Sequence, residues 1–208
     1  MIPGDRFKSI AFIWALGFAA QVSASVIYNE ATSGDLSGSG LTPTSIGALS
    51  LGSNQIFGTT GAVGGVTDRD YFTISVPHGL ELSAIVEDSG TQSGNLSFIG
   101  MEAGPQVTLP TNTTTAAGLL GWRHYSPADI GTNVLADMSV AAMGSSGFSI
   151  PLGAGTYSFW IQDTSPGTFA YAFDLQVVPE PATGALLVLG LGVGAMATRR
   201  RDIDTCRS

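Results

Sequence analysis

Residues 168–177 alternate without a break: Phe169, Tyr171, Phe173, Leu175 and Val177 take one face, and Thr168, Ala170, Ala172, Asp174 and Gln176 the other. A period of two sustained this long is a half-buried strand, because a helix would bury every third or fourth residue. Residues 156–162 repeat the pattern, with Tyr157, Phe159 and Ile161 inward. Trp160 falls on the polar face of that segment and is expected to be exposed or to lie at an edge. Ser165-Pro166-Gly167 between the two segments predicts a hairpin, and Pro77-His78-Gly79 between residues 71–76 and 80–88 predicts a second. Residues 95–101 and 148–152 read as two more strands, with weaker ones at 26–28, 46–51 and 55–57. No window between Ser25 and Pro181 holds a long amphipathic helix, although 128–143 has room for a short one. Many short strands separated by Gly, Pro, Ser and Thr predict an all-β body, a jelly-roll-like β-sandwich.

Both ends of the chain depart from this pattern. Arg6 and Lys8 precede an apolar run over 10–20, and Val22-Ser23-Ala24 then supplies small residues. That is the order of a secretory signal over residues 1–24, cut by signal peptidase between Ala24 and Ser25. At the other end Val178-Pro179-Glu180-Pro181 precedes an uncharged run over 182–198, followed by Arg199, Arg200 and Arg201. As a helix that run reaches about 26 Å, enough for a thin bilayer. Three arginines beyond it are expected to stay cytoplasmic. The two ends agree on one topology: the β body of residues 25–178 outside, flanked by a signal helix and a C-terminal transmembrane helix, with the basic tail 199–208 inside.

Charge narrows the function. The whole chain carries −8, and residues 25–181 set only Arg69 and Arg123 against thirteen carboxylates. Such a surface repels phosphate, so nucleic acid is excluded as a partner. A single cysteine, Cys206, rules out an internal disulfide and any zinc site built on two or more thiolates. No cofactor is expected; calcium is the one metal these residues would suit, since it takes six to eight oxygen ligands. Asp68 and Asp70 flank Arg69 ahead of a strand and leave one face of it. The competing expectation is that they cap a turn and pair with Arg69. Enzyme chemistry has little to stand on: there are two histidines, His78 and His124, and no Gly-x-Ser-x-Gly elbow. Glu87 and Asp88, being adjacent in a strand, point to opposite faces and do not form a glycosidase pair. Trp122, Tyr125 and Trp160 offer faces to sugar rings, although aromatics in a β-sandwich serve the core more often.

The C-terminal order of Val178-Pro179-Glu180-Pro181, a short apolar run and Arg199-Arg200-Arg201 resembles the PEP-CTERM sorting signal of Gram-negative bacteria. The resemblance covers residues 179–208 and departs only in the tail from Asp202 to Ser208, which is longer than expected. It implies handling at the Pro-Glu-Pro motif by an exosortase, a membrane protease-transpeptidase, and an association with exopolysaccharide, biofilm and floc formation. A second resemblance lies in the body. Asp68-Arg69-Asp70-Tyr71-Phe72-Thr73-Ile74-Ser75-Val76-Pro77 with Gly79, and Gly153-Ala154-Gly155-Thr156-Tyr157-Ser158-Phe159, look like the bacterial pre-peptidase C-terminal domain. That domain is a non-catalytic jelly-roll accessory of secreted proteins, and its relatives in collagenases bind substrate and calcium. It implies calcium ligands in the N-terminal loop, at Glu30 and Asp35, beside Asp68 and Asp70. The Thr- and Gly-rich residues 110–121 look like an insertion in it.

These expectations describe a non-enzymatic protein exported across the inner membrane of a Gram-negative bacterium. It is held by its C-terminal helix and then moved to the cell surface or beyond, with extracellular polysaccharide as its neighbour. A calcium- or glycan-binding accessory module is the alternative, and a secreted hydrolase with an unrecognised site a second.

Overall fold

The computed structural model describes residues 24–91 and 96–181. The expected signal (but for Ala24), the apolar run 182–198 and the basic tail lie outside them. Nine strands follow in chain order: β1 (Ser25–Asn29), β2 (Thr44–Ala48), β3 (Gly52–Val63), β4 (Val66–Val76), β5 (Leu80–Gly90), β6 (Ser97–Ala103), β7 (Gly121–His124), β8 (Gly155–Asp163) and β9 (Gly167–Pro179). Two short helices, α1 (Glu30–Ser33) and α2 (Val134–Met138), complete the elements used below. The chain is mostly β, as the alternation requires, and α2 falls inside the 128–143 window.

The strands form one sheet in the order β5-β9-β3-β4-β8-β6-β7, with β1 parallel on β3 and β2 parallel on β4. The sheet curls into a half-barrel, and the bend lies at the β3–β4 hairpin. Val63 pairs Val66 and Gly61 pairs Asp68, but beyond that the partners part. β3 runs on along β9 from Gly61↔Thr168 to Gly52↔Val177, while β4 runs along β8 from Arg69↔Gln162 to Val76↔Gly155. Gly61 has to be glycine at this divergence: its φ is 148°, and a Cβ there would stand 2.0 Å from the Gly167 carbonyl oxygen.

Both expected hairpins are overturned. β8 pairs with β4 and β6, and β9 with β3 and β5. Likewise β4 pairs with β8 and β5 with β9. The turns at Pro77–Gly79 and at 164–166 cross from one half of the curled sheet to the other, so their flanking strands face each other across the core. The physical reason is in the burial. Tyr157, Phe159 and Ile161 of β8 lie in one apolar cluster with Tyr171, Phe173 and Leu175 of β9 and with Ile56, Phe72, Ile85 and Met101. Crossing the core buries both apolar faces against each other. The hairpin that does form was carried by Val63-Gly64-Gly65-Val66, a Gly-Gly turn between β-branched residues that the periodic segments had overshadowed. Residues 148–152 form no strand. Leu152 makes an isolated two-bond bridge to Leu82 (2.8 Å each way), beside the core it helps to close.

Trp160 is the second correction. It is 4% exposed, stacked on Tyr71 (centroids 5.6 Å) and set edge-on to Phe98 (4.9 Å). The segment after β6, which reads as an insertion, folds over this outer face. Val107, Ala116 and Leu119 make a second apolar cluster with Tyr71 and Trp160. Val107 N–H donates to the Gly40 carbonyl (2.8 Å) and Ala116 N–H to that of Met143 (2.7 Å). The outer face of β8 is therefore a small core of its own, which explains a tryptophan on a nominally polar face. Trp160→Ala should lower unfolding free energy by about 3–5 kcal/mol in urea titrations, and by clearly more than Trp122→Ala, because Trp122 is only half-buried.

Candidate functional site: a carboxyl cluster and the end of the last strand

Parallel pairing of β1 with β3 sets Asn29 beside Phe57. Asn29 then caps α1, its Oδ1 accepting from Ala31 N–H (3.0 Å), and Glu30 turns back over β3. Glu30 Oε2 accepts the Thr59 N–H (2.7 Å) and Oε1 that of Leu36 (3.2 Å), so one carboxylate ties β3 to the loop after α1. That loop carries Asp35 and is held by the Tyr28 hydroxyl on the Gly34 carbonyl (2.9 Å). Asp70 enters from β4 just past its divergence from β3. It is fully buried, and its Oδ2 accepts from the Tyr171 hydroxyl of β9 (2.6 Å). Its Oδ1 is buried with no hydrogen-bond partner among the described residues.

The fold thus brings together residues distant in sequence: one carboxyl oxygen each from Glu30, Asp35 and Asp70 lie within 4.8 Å of one another. Asp68 stays outside this trio. It is half-buried and lines the adjoining open cleft of about 590 Å³ with Thr59, Thr168 and Tyr171. Arg69 pairs with neither aspartate; its Nε donates to Gln162 Oε1 (3.0 Å) and its Nη1 reaches the Thr67 carbonyl (3.4 Å). The expected aspartate–Arg69 pairing is therefore absent among the described residues, since cross-strand register sets Arg69 opposite Gln162.

Like charges at this spacing hold protons. Burial pushes the Asp70 carboxyl up to about 9, the Glu30 charge pushes the same way, and the Tyr171 hydrogen bond opposes both. Burial also raises Glu30, against the pull of its two N–H donors. A cation would replace the proton on Asp70. All donors are oxygen, which suits calcium or magnesium rather than a nitrogen- or sulfur-seeking metal. Three carboxylates fall short of a calcium shell, so carbonyls or water would supply the remainder. Sequence reasoning missed Tyr171, which reads only as one more inward aromatic of β9, and Thr59.

The other candidates are placed elsewhere. Tyr125 is core, edge-on to Phe173 (5.2 Å). Of the three aromatics offered to sugars, Trp122 alone is substantially accessible, beside Phe98 and His124 in a cleft of about 220 Å³. His78 is exposed in its turn, and His124 Nδ1 meets the Ser97 carbonyl (2.9 Å). Glu87 is buried and Asp88 exposed, on opposite faces as adjacency requires. Burial pushes Glu87 up to about 7, with Asp129 raising it further and Arg123 opposing. Arg123 itself is paired with Asp129 (2.8 Å) and Asp137.

The Val178-Pro179-Glu180-Pro181 motif straddles the end of β9, which closes at Pro179. Val178 pairs Glu81, Pro179 pairs Leu80, and Glu180 N–H donates to the Gly79 carbonyl (2.9 Å). Ser25, the expected mature N-terminus, opens β1, and Ala24 before it is exposed. Arg199, Arg200 and Arg201 lie outside the described residues. No helix among the described residues is long and apolar enough to cross a membrane.

Residues 177–201 match the family model of the PEP-CTERM protein-sorting motif. The match takes in both the Pro-Glu-Pro element and the three arginines, and leaves the tail from Asp202 outside. It implies an exported chain with a C-terminal sorting and anchoring signal recognised by an exosortase. No curated protein and no solved structure matches this chain, and no match supports the resemblance of the body to the pre-peptidase domain.

The raised carboxyls fix the sign of the pH response. The folded chain keeps a proton on Asp70 that the unfolded chain releases in the ordinary carboxylate range, so stability falls as pH rises from there through about 9. Glu87 adds the same trend up to about 7. In thermal melts of residues 24–181 without metal, the midpoint should therefore be higher at pH 5 than at pH 8. Millimolar calcium should raise it by several degrees at pH 8 and by little at pH 5. Asp70→Asn, which retains an acceptor for Tyr171, should abolish the calcium response and flatten the pH dependence above 7.

Proposed function

We propose that this protein is a non-enzymatic envelope or matrix protein of a Gram-negative bacterium, exported through its N-terminal signal and processed by an exosortase at Pro179-Glu180-Pro181. The observation that carries this is the ordered set of motif, apolar run and arginines, matched as a unit over residues 177–201. The body then works as a structural or adhesive module outside the cell, with extracellular polysaccharide as its neighbour. In favour of a passive module is its makeup: an acidic body built on one curled β sheet, whose two histidines meet neither a carboxylate nor a hydroxyl among the described residues.

One observation favours a further role as a calcium-binding accessory module. Glu30, Asp35 and Asp70 converge beside an open cleft, and Asp70 keeps one buried oxygen without a partner. Calcium held there would tie α1, the loop after it and β4 into one unit, in keeping with a domain built to persist outside the cell.

The processing reading is tested with two epitope tags, one in the exposed Gly64-Gly65 turn and one after Ser208, followed through membrane, periplasmic and extracellular fractions. With the exosortase present, the C-terminal tag should be lost and the turn tag should leave the membrane. Without it, both should stay together in the membrane fraction. Co-retention of both tags even with the exosortase present would leave the apolar run as a plain anchor and remove the proposed link to the matrix.

A further inference from the structure

The sorting motif begins inside the sheet, and Pro179 sits where a sheet tolerates a proline. Glu180 N–H points toward β5, where the Gly79 carbonyl accepts it (2.9 Å). Backbone groups alternate sides along a strand, so Pro179, the last residue of β9, turns its backbone away from β5. On that side the last β3–β9 pair is Gly52↔Val177, and no strand continues beyond it. Proline has no N–H to offer, so the motif presents no main-chain donor at positions 179 and 181. A protein that binds an extended segment by adding a strand needs main-chain groups on the edge it joins. At this motif the Glu180 donor is already spent on β5.

We infer that the motif is processed only after it peels from β5, so that release of the last residues of β9 from Glu81, Leu80 and Gly79 gates exosortase action. This rests on the processing proposed above and adds a step internal to this chain. Only Pro181 separates Glu180 from the apolar run that begins at Ala182. The edge formed by the Pro77–Gly79 turn and the end of β9 is therefore the part of the body nearest the signal, and the partner that handles the motif must approach there. The register makes peeling local. Glu180 and Pro179 come away without disturbing Val177 and Leu175, which are buried in the main core, and strand ends open at small cost.

The test uses the full chain with a Cys206→Ser change, pulse-labelled in a host with the exosortase, and reads the rate at which a tag after Ser208 is lost. Glu81→Cys combined with Val178→Cys, which face each other in register, pins β9 one residue ahead of the motif. The oxidised pair should be processed roughly tenfold more slowly than either single variant, and dithiothreitol should restore the rate. A Gly-Ser-Gly-Ser insertion between Val178 and Pro179 lifts the motif off β5 while keeping its distance from the apolar run. It should be processed several-fold faster than the parent. Equal rates for the oxidised pair and its singles would overturn the gate while leaving processing intact. If the cysteine pair is not exported, the insertion decides alone, and a rate no faster than the parent's overturns the gate. A parent chain that keeps its tag with the exosortase present overturns the processing proposal itself, and the gate with it.

Discussion

The hydrogen bond between Tyr171 and Asp70 is the point on which the curled sheet closes. It joins β9 in one half to β4 in the other, a hundred and one residues apart in sequence, with both residues shielded from water. Its geometry makes demands on its neighbours. The Tyr171 ring lies across Gly58, its partner on β3, so closely that a Cβ there would stand 2.4 Å from the hydroxyl oxygen. A buried carboxyl with one oxygen left over is destabilising unless it is protonated or finds a cation. Glu30 cannot be moved away to relieve it, because it is engaged with Thr59 and Leu36 and thereby holds α1 against β3. Closure of the sheet and strain in the carboxyl cluster are thus one feature, and the fold carries both.

What could be read from residues alone follows a physical division. Period two marks each strand and its inward face, and Phe173, Leu175, Phe159 and Ile161 are buried as their spacing requires. Alternation says nothing about which strand lies alongside. A three-residue turn can reverse a strand within its sheet or carry it over to the facing one, and both satisfy the same apolar face. Pro77–Gly79 and 164–166 do the second. The β3–β4 turn does the first, and the difference lies in long-range packing that no local window contains. Trp160 was illegible for the same reason: its cover comes from Val107, Ala116 and Leu119, which precede it by 53, 44 and 41 residues.

The candidate site shows the same limit more sharply. Glu30 and Asp35 stand close together in sequence, but nothing near them announces Asp70. They meet because β1 lies parallel on β3 and β4 leaves β3 at Gly61. Asp68 and Asp70 were indistinguishable as acids flanking an arginine. Structure separates them, since Asp70 is buried against Tyr171 while Asp68 lines the cleft. The C-terminal sorting motif was legible because it is linear: it is read by order and composition, not by three-dimensional convergence.

Two requirements meet at the end of β9. As a strand it must complete the sheet, with Val177 closing the core and Val178 in register with Glu81. As an address it must be surrendered to an enzyme. Proline reconciles them better than any other residue could. At Pro179 it permits pairing along β5 through Val178 and Glu180, since the missing donor falls on the side away from β5. It also offers other strands no donor there, which guards the end of β9 against chance association before sorting. Pro179 meets that condition as the last residue of β9. A motif with prolines at adjacent positions would put one of them against β5 and lose the Gly79 bond.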